Sequence, residues 1–221
     1  MSAIVFLLLI AISIGLIYLI HRYFGKSQFY LIAVIYSILS FLMSFKLIKV
    51  FGVNINASVI FSSGLLIILY YFINRYGKSE IKRLIMAIFV STFVSGCFLM
   101  LNTFMIPSIY DNNSPFYQNL VLDNLAIVIL YPISLLITLL LSSYCFELLK
   151  NEDKNRLIKT LVTIIGLMFI DTFIFIYFSY AILIRFDIAI VIALDNYLVK
   201  AIIMVIYILI INKVFKIRKV K

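Results

Sequence analysis

Seven long apolar runs divide this chain of 221 residues and leave only short polar segments between them. Each run reaches or approaches the roughly 20 residues that span a bilayer as an α-helix. The runs are continuous and do not alternate every second residue, so they favour helices over the strands of an outer-membrane barrel. The runs are Ser2–Ile20, Phe29–Phe45, Ile55–Ile73, Leu84–Ile106, Asn124–Leu149, Leu157–Ile184 and Ile188–Ile211.

The composition excludes a soluble domain. Hydrophobic residues make up 65% of the chain, charged residues 13%, and the mean hydropathy is +1.19. About half of the residues of a soluble domain are apolar, so a chain this apolar needs a lipid bilayer around it. The sequence therefore predicts an all-α, polytopic integral membrane bundle of about seven transmembrane helices, forming a single domain over residues 1–221.

The basic residues predict the orientation of the bundle. Only Lys46, Lys49 and Arg185 lie in the segments on one side, whereas fifteen of the 19 Lys and Arg residues lie on the other. Such a bias marks the cytoplasmic side of a membrane protein. We therefore expect a multi-pass protein of the cell membrane with its N-terminus outside and its C-terminus in the cytoplasm. Topology also accounts for the net charge of +10, so nucleic acid is not an expected partner.

The sequence lacks the motifs of several functional classes. There is no glycine-rich phosphate loop, no metal-binding pair of histidines and no serine in a nucleophile elbow. Cys97 and Cys145 both fall within apolar runs and have no spaced partners. The longest loop, Pro107–Asp123, is read as a turn-rich connection too short for an ATPase domain. The sequence thus predicts no enzymatic activity, no metal and no cofactor.

Three ionisable residues stand inside the last two apolar runs: Asp171, Asp195 and Lys200. Charged groups at membrane depth are costly and usually line a cavity or a substrate path. Counting along the helices places Asp171 and Lys200 near one depth, and Asn196 shares a helix face with Lys200 because four residues separate them. Two interpretations stay open, a polar site for a small molecule and a charge pair that locks two helices together.

Several short motifs occur in an order that resembles the VUT family of membrane proteins. The resemblance runs from about Ser40 to Phe215, and no single motif in it is specific. The matching segments are Lys46–Gly52, Arg75-Tyr76-Gly77-Lys78, Ile81–Ile85, Lys159 with Thr163, Asp171-Thr172-Phe173-Ile174-Phe175, and Tyr197 with Lys200.

The resemblance implies a transporter core over residues 29–215, preceded by an extra N-terminal helix (1–28) and followed by a basic tail (216–221). The family is regarded as importing queuosine precursors, which are flat 7-deazaguanines. A carboxylate accepts two N–H donors from such a ring and an aromatic side chain stacks on it. The substrate-binding candidates are Asp171, Thr172, Lys200, Asn196 and Asp195.

The chain also departs from the family pattern at polar positions. Tyr70 and Asn74 stand where the family has acidic residues, and Leu139 and Ser142 replace a Gln and an Asp. Ser63 replaces a proline, and Met168 replaces another Gln. These departures leave open whether the specificity has changed or the activity is lost.

Other functions remain as alternatives. One alternative is a substrate-binding subunit that borrows an energy-coupling ATPase, with the basic loop Lys150–Lys159 as a docking surface, although the orientation of the bundle explains that loop equally well. A structural or interaction protein is the other alternative. The predicted partners are a small-molecule substrate, the lipid bilayer, and either such an ATPase or further copies of the chain. An intramembrane enzyme acting on lipid is disfavoured because no cluster of catalytic groups lies at a helix end.

The predicted topology is tested by thiol labelling of intact cells, in a variant whose two native cysteines are replaced. A single cysteine within Pro107–Asp123 should react with a membrane-impermeant reagent, and a cysteine after Lys213 should react only after the cells are permeabilised. Labelling of the tail from outside would reverse the proposed orientation.

Overall fold

The computed structural model describes residues 2–23, 25–106, 114–150 and 156–215. Within them the chain forms a helical bundle, as predicted, together with one small sheet that the sequence did not predict. The first part of the loop 107–123, most of the basic loop Lys150–Lys159 and the tail 216–221 lie outside the described residues. The elements are α1 (Ser2–Tyr23), α2 (Lys26–Met43), β1 (Leu47–Val50), β2 (Val53–Asn56), α3 (Val59–Tyr76), α4 (Lys78–Thr103), α5 (Ser114–Leu122), α6 (Leu125–Lys150), α7 (Arg156–Thr172), a π-helical segment (Phe173–Tyr177), α8 (Phe178–Leu183) and α9 (Phe186–Phe215).

The helices match the seven apolar runs. In the described part of the chain, six helical spans are long and apolar enough to cross a membrane: α2, α3, α4, α6, the continuous unit of α7, the π segment and α8, and α9. Helix α1 contributes a shorter apolar stretch, Ala3–Leu19. Large apolar side chains on the outer surfaces of these helices are exposed. The chain is therefore a multi-pass membrane protein.

Helix α3 lies at the centre of the bundle. It packs against α1, α2, α4, α6 and α9, and 83% of its membrane span is buried. A helix that is apolar on every face is one that other helices surround. The remaining spans are between 28% and 50% buried, because each of them turns one side to the lipid.

Gly64 allows α2 and α3 to approach closely. A Cβ atom at this position would lie 2.7 Å from the ring of Tyr36, and the Tyr36 hydroxyl donates a hydrogen bond of 2.9 Å to the carbonyl of Ser13 on α1. Small residues commonly mediate such contacts in membranes. Thr163 and Gly166, two small residues in the sixth apolar run, lead us to expect a similar close approach there, but nothing lies within 4 Å of a Cβ atom at Gly166.

A β-hairpin joins α2 to α3. Strands β1 and β2 are antiparallel, with Leu47 opposite Asn56 and Val50 opposite Val53. Both turn residues, Phe51 and Gly52, have positive φ, as in the tight turns that suit the twist of a hairpin. The predicted start of the third helix at Ile55 is wrong because Ile55 lies in β2. The apolar run continues from the strand into the helix, so hydropathy alone does not show the boundary.

The loop Pro107–Asp123 also differs from its prediction as a turn-rich connection. Its second half forms helix α5, which packs on α4 and α6. Pro115 lies in the first turn of α5, where its missing N–H has no intrahelical partner to lose. Ser114 and Pro115, which indicated a turn, therefore mark the start of a short helix.

The two ends of the bundle are distinct. At one of them, the Gly77 end, the Nζ of Lys26 on α2 lies 2.6 Å from Glu80 on α4. Tyr30 donates a hydrogen bond of 2.9 Å to the same carboxylate. These contacts hold the beginnings of α2 and α4 at one level. The hairpin, the start of α6 and the start of α9 lie toward the other end, called the hairpin end.

Replacing Gly64 by alanine should destabilise the bundle, because the new methyl group meets the Tyr36 ring and overpacking costs about 1–3 kcal/mol. Gly166→Ala is the matched control. It meets nothing and should be neutral or slightly stabilising, as alanine is in a helix interior. The melting temperatures of the detergent-extracted variants measure both effects, and equal values would contradict the packing at Gly64.

Candidate functional site

A buried ion pair links α7 to α9. The Nζ of Lys200 donates a hydrogen bond to Oδ2 of Asp171, and Thr138 on α6 donates one of 2.9 Å to Oδ1. Asp171 and Lys200 are only 7% and 2% exposed. Three helices thus bring together one cation, one carboxylate and one hydroxyl in a space closed to the surroundings.

The pair lies near the middle of the bundle. Asp171 is fifteen residues after the start of α7, or about 22 Å along the axis. Lys200 is fourteen residues after the start of α9, or about 21 Å. The two helices run in opposite directions, so each residue lies well inside the bundle from its own end. An ionisable pair at such a depth is the usual mark of a functional site in a membrane protein.

A π-helical segment follows directly after Asp171 and Thr172. It covers Phe173–Tyr177, and π turns inside α-helices are frequent at functional sites. The buried positions of this span recur in pairs four residues apart: Asp171 with Thr172, Phe175 with Ile176, and Ser179 with Tyr180. An ideal α-helix has 3.6 residues per turn, so positions four residues apart would move gradually around the helix and out of the core. The wider π turn therefore keeps the face of Asp171 pointing into the bundle up to the end of α8.

Two buried hydroxyls close to the pair lack hydrogen-bond partners. They belong to Tyr131 on α6 and Thr172 on α7. The Tyr131 ring packs edge-on against Phe175 at 5.0 Å and lies 5.6 Å from Phe41, and its hydroxyl lies near Ser40, whose own hydroxyl donates to the carbonyl of Ser58. A buried polar group without a partner costs free energy. These hydroxyls are therefore available to a ligand.

Further buried hydroxyls extend this set along the bundle. Several serine and threonine side chains on the helices bond to a carbonyl of the preceding turn, as Thr92 does with Ile88 at 3.0 Å. Ser142 and Thr160 do not, although both are fully buried. Ser142 lies one turn beyond Thr138 on α6, and Thr160 lies three turns before Asp171 on α7. Both lie on the side of the ion pair that faces the Gly77 end. Ser63 and Ser179 are also buried without partners.

The other two predicted site residues, Asp195 and Asn196, contact the hairpin. The Oδ1 of Asn196 accepts a 2.8 Å hydrogen bond from the backbone N–H of Asn56, and Oδ2 of Asp195 accepts one of 2.9 Å from that of Asn54. The amide group of Asn196 donates to the Ile192 carbonyl at 2.7 Å. Asn196 is buried on the same face as Lys200, one turn nearer the hairpin end, and its polar atoms are engaged by the protein itself.

Sequence reasoning missed Thr138 and Tyr131. A signal was present, because Tyr131, Thr138 and Ser142 recur at steps of seven and four residues, which places them on one helix face. Hydroxyls are common in membrane helices, and without knowledge of the facing helix this stripe does not differ from a packing surface. The contact with Asp171 singles out Thr138.

The departures from the resemblance all fall inside the bundle. Ser63, Tyr70, Asn74, Leu139, Ser142 and Met168 are buried. Met168 lies one turn before Asp171, and Leu139 follows Thr138 directly. Apolar side chains thus lie beside the ion pair at positions where the resemblance leads us to expect polar ones.

The described residues include no group of three or more His, Cys, Asp or Glu side chains that could hold a metal ion. In a comparison with protein families, residues 56–214 match a family model described as "Putative vitamin uptake transporter". The chain belongs to this family. The match contains Asp171, Lys200, Thr138 and Tyr131, and it begins at Asn56 of the hairpin. No curated protein and no solved structure matches the chain.

Lys200→Met should strongly destabilise this family member, because it leaves Asp171 buried with Thr138 as its remaining partner. Breaking a buried pair costs about 3–5 kcal/mol. The double variant Asp171→Asn/Lys200→Met should recover much of this loss, since a buried amide is cheaper than an unpaired charge. The free energies of unfolding in detergent measure both.

Arg185→Met is the control. It breaks the pair of Arg185 with Asp187, which is 3.1 Å long and exposed, and should cost less than about 1 kcal/mol. A double variant no more stable than Lys200→Met would show that the two charges do not depend on each other.

Proposed function

We propose that this protein imports a small, flat nitrogen-ring metabolite of the 7-deazaguanine type, a queuosine precursor, through a site centred on Asp171 and Lys200. In the proposed orientation the Gly77 end faces the cytoplasm. The observation that carries the proposal is the buried pair itself, which lies at mid-depth beside the unpaired hydroxyls of Tyr131 and Thr172 in a chain of a vitamin uptake family.

The polar groups of the site complement the edge of such a ring. The pairing edge of a 7-deazaguanine carries a carbonyl oxygen beside two N–H donors. The oxygens of Asp171 accept from N–H groups, and the Lys200 ammonium donates to a carbonyl. A cyclic amide can therefore replace both sides of the ion pair. Its N–H groups donate to Asp171 in place of Lys200, and its carbonyl oxygen accepts from Lys200 in place of Asp171.

The ion pair also explains how an empty site can exist in a membrane. Without substrate, Asp171 and Lys200 neutralise each other and Thr138 satisfies the second carboxylate oxygen. A ligand must replace these contacts with equally good ones, or a charge remains buried and unpaired. Sites of this kind strongly reject analogues that lack the required donor or acceptor.

Aromatic side chains supply a surface for the ring face. Tyr131 and Phe175 pack edge-on, and the ring of Phe41 lies 5.6 Å from that of Tyr131. Flat ligands stack on such rings, and the Tyr131 hydroxyl adds one polar contact. Ligand sites in proteins are commonly apolar cavities with a few polar groups that fix the orientation.

The apolar residues near the pair bear on specificity. Met168 and Leu139 are both buried and offer no hydrogen bonds to a ring substituent. We infer that the substituent of the preferred substrate is small or apolar. Ser142 and Thr160 then provide hydroxyls along the route from the site to the Gly77 end.

A structural role for the ion pair is the competing candidate. It is favoured by the fact that both carboxylate oxygens are already engaged. A purely structural pair would leave the activity per folded molecule unchanged when one partner is replaced, provided that the variant folds. Uptake and folded yield must therefore be measured together.

Asp171→Asn should weaken substrate binding about tenfold to a hundredfold, because a hydrogen bond to a charged group contributes about 1.5–3 kcal/mol. The amide replaces one acceptor oxygen by a donor, which opposes the N–H edge of the ring. Uptake of a labelled 7-deazaguanine into cells that lack their own importer, divided by the amount of folded protein, measures the effect.

Asp187→Asn is the matched control for this experiment. Asp187 lies in the first turn of α9, exposed and paired with Arg185, and the change should leave uptake as in the parent. Should Asp171→Asn transport as well as Asp187→Asn, the carboxylate is structural and the proposed site is wrong.

A further inference from the structure

The β-hairpin packs one face against the bundle and exposes the other, with Leu47, Lys49, Phe51 and Asn54 exposed. Val50, Ile55 and Asn56 are almost completely buried, and β2 packs along α9. Non-helical backbone is tolerated at membrane depth only where protein or a water-filled cavity surrounds it. Interrupted segments of this kind commonly border the substrate site of a transporter.

Helix lengths show how deeply the hairpin is set. Helices α2 and α3 have 18 residues each, about 27 Å, whereas α4, α6 and α9 have 26, 26 and 30, about 39–45 Å. Because Lys26 and Glu80 hold α2 and α4 level at the Gly77 end, the difference lies at the hairpin end. The base of the hairpin is therefore recessed by about 12 Å relative to the end of α4.

The contacts with α9 give the same depth independently. Asn56 bonds to Asn196, which lies ten residues after Phe186 at the start of α9, or about 15 Å along the axis. Lys200 follows Asn196 by a single turn, about 6 Å. The hairpin therefore lies between the Asp171–Lys200 pair and the hairpin end of the bundle.

Asn56 fastens the hairpin in this position. Its side-chain amide donates to the carbonyl of Ser44 at 2.7 Å and to the hydroxyl of Tyr180 at 2.8 Å. Its side-chain oxygen accepts from the N–H of Ser58 at 2.9 Å, and its own N–H donates to Asn196. One residue thus ties the hairpin to α2, α3, α8 and α9.

We propose that the hairpin is the outer gate of the transport path and that Asn56 is its latch. In the closed state it covers the Asp171–Lys200 pair. Release of Asn56 from Asn196 and Tyr180 opens the site to the outside. An isolated two-stranded hairpin is only marginally stable, and this one is fastened by a few side chains, so it can move as a unit. The proposal rests on the proposed transport function and orientation.

The gate is tested by the accessibility of a residue beneath it. Thr172→Cys, with Cys97 and Cys145 changed to serine, places a thiol beside Asp171. With the hairpin closed, a membrane-impermeant methanethiosulfonate added outside cells should react slowly. Asn56→Ala should raise the rate about tenfold or more, because several neutral hydrogen bonds are lost. Asp195→Ala, which frees only Asn54, should raise it less.

Asn124→Ala is the matched control. Asn124 lies between α5 and α6, and its side chain donates a hydrogen bond of 2.8 Å to the carbonyl of Leu120. Its loss should leave the labelling rate of Thr172→Cys unchanged. Equal rates in the parent, Asn56→Ala and Asn124→Ala would overturn the gate. If Asn56→Ala does not fold, the labelling rate in Asp195→Ala is compared with the rates in the parent and in Asn124→Ala, and equal rates overturn the gate.

A cross-link tests the gate from the opposite direction. Asn54→Cys with Asp195→Cys places two thiols across the contact between β2 and α9, and a reducible bifunctional reagent should stop uptake until it is cleaved. Uptake that continues while the hairpin is cross-linked overturns the proposal.

The labelling experiment uses no substrate, so it separates the gate from the substrate assignment. Hairpin-dependent labelling without uptake of 7-deazaguanines supports the gate and rejects the substrate. Uptake of 7-deazaguanines, together with a labelling rate that the hairpin variants do not change, supports the substrate and rejects the gate.

Discussion

The buried ion pair between Asp171 and Lys200 constrains the rest of the structure. Each charge alone would cost about 2.5–3.5 kcal/mol at membrane depth, and the pair reduces this cost only while the two helices keep one register. Thr138 extends the same constraint to α6. Three long helices are thus fixed relative to one another by four atoms. Their mutual position in turn determines where the hairpin can dock on α9.

The hydroxyl groups of the bundle fall into two kinds, those that bond to a helix carbonyl and those that are buried without a partner. Some hydroxyls bond only to carbonyls of their own helix, as those of Thr92 and Ser95 of α4 do, which makes them tolerable in lipid. Those of Tyr131, Ser142, Thr160 and Thr172 are buried without partners. A polar group in that state has a cost that stability alone does not explain. Its position near a charged pair is consistent with a path for a polar ligand.

The hairpin and the central helix complement each other. Helix α3 is short because the hairpin occupies the space in which a longer α3 would continue. The hairpin contributes backbone N–H groups that Asp195 and Asn196 satisfy. Both residues were substrate-binding candidates on sequence grounds. In the structure their side-chain oxygens accept hydrogen bonds from the hairpin backbone, and neither residue contacts the Asp171–Lys200 pair through the hydrogen bonds described.

The sequence by itself determined the membrane bundle, the seven helical segments and the charged residues that lie at membrane depth. A membrane span is recognised from about twenty consecutive apolar residues, so it can be found without knowing its neighbours. A charged residue within such a run is equally visible in the sequence. Helix faces were also readable, as with Asn196 and Lys200. Only the tertiary structure decided that Asp171 pairs with Lys200, that Thr138 and Tyr131 join them, and that residues 47–56 form a hairpin. These features depend on which helices become neighbours, and the packing of side chains between helices is not a property of any single apolar run.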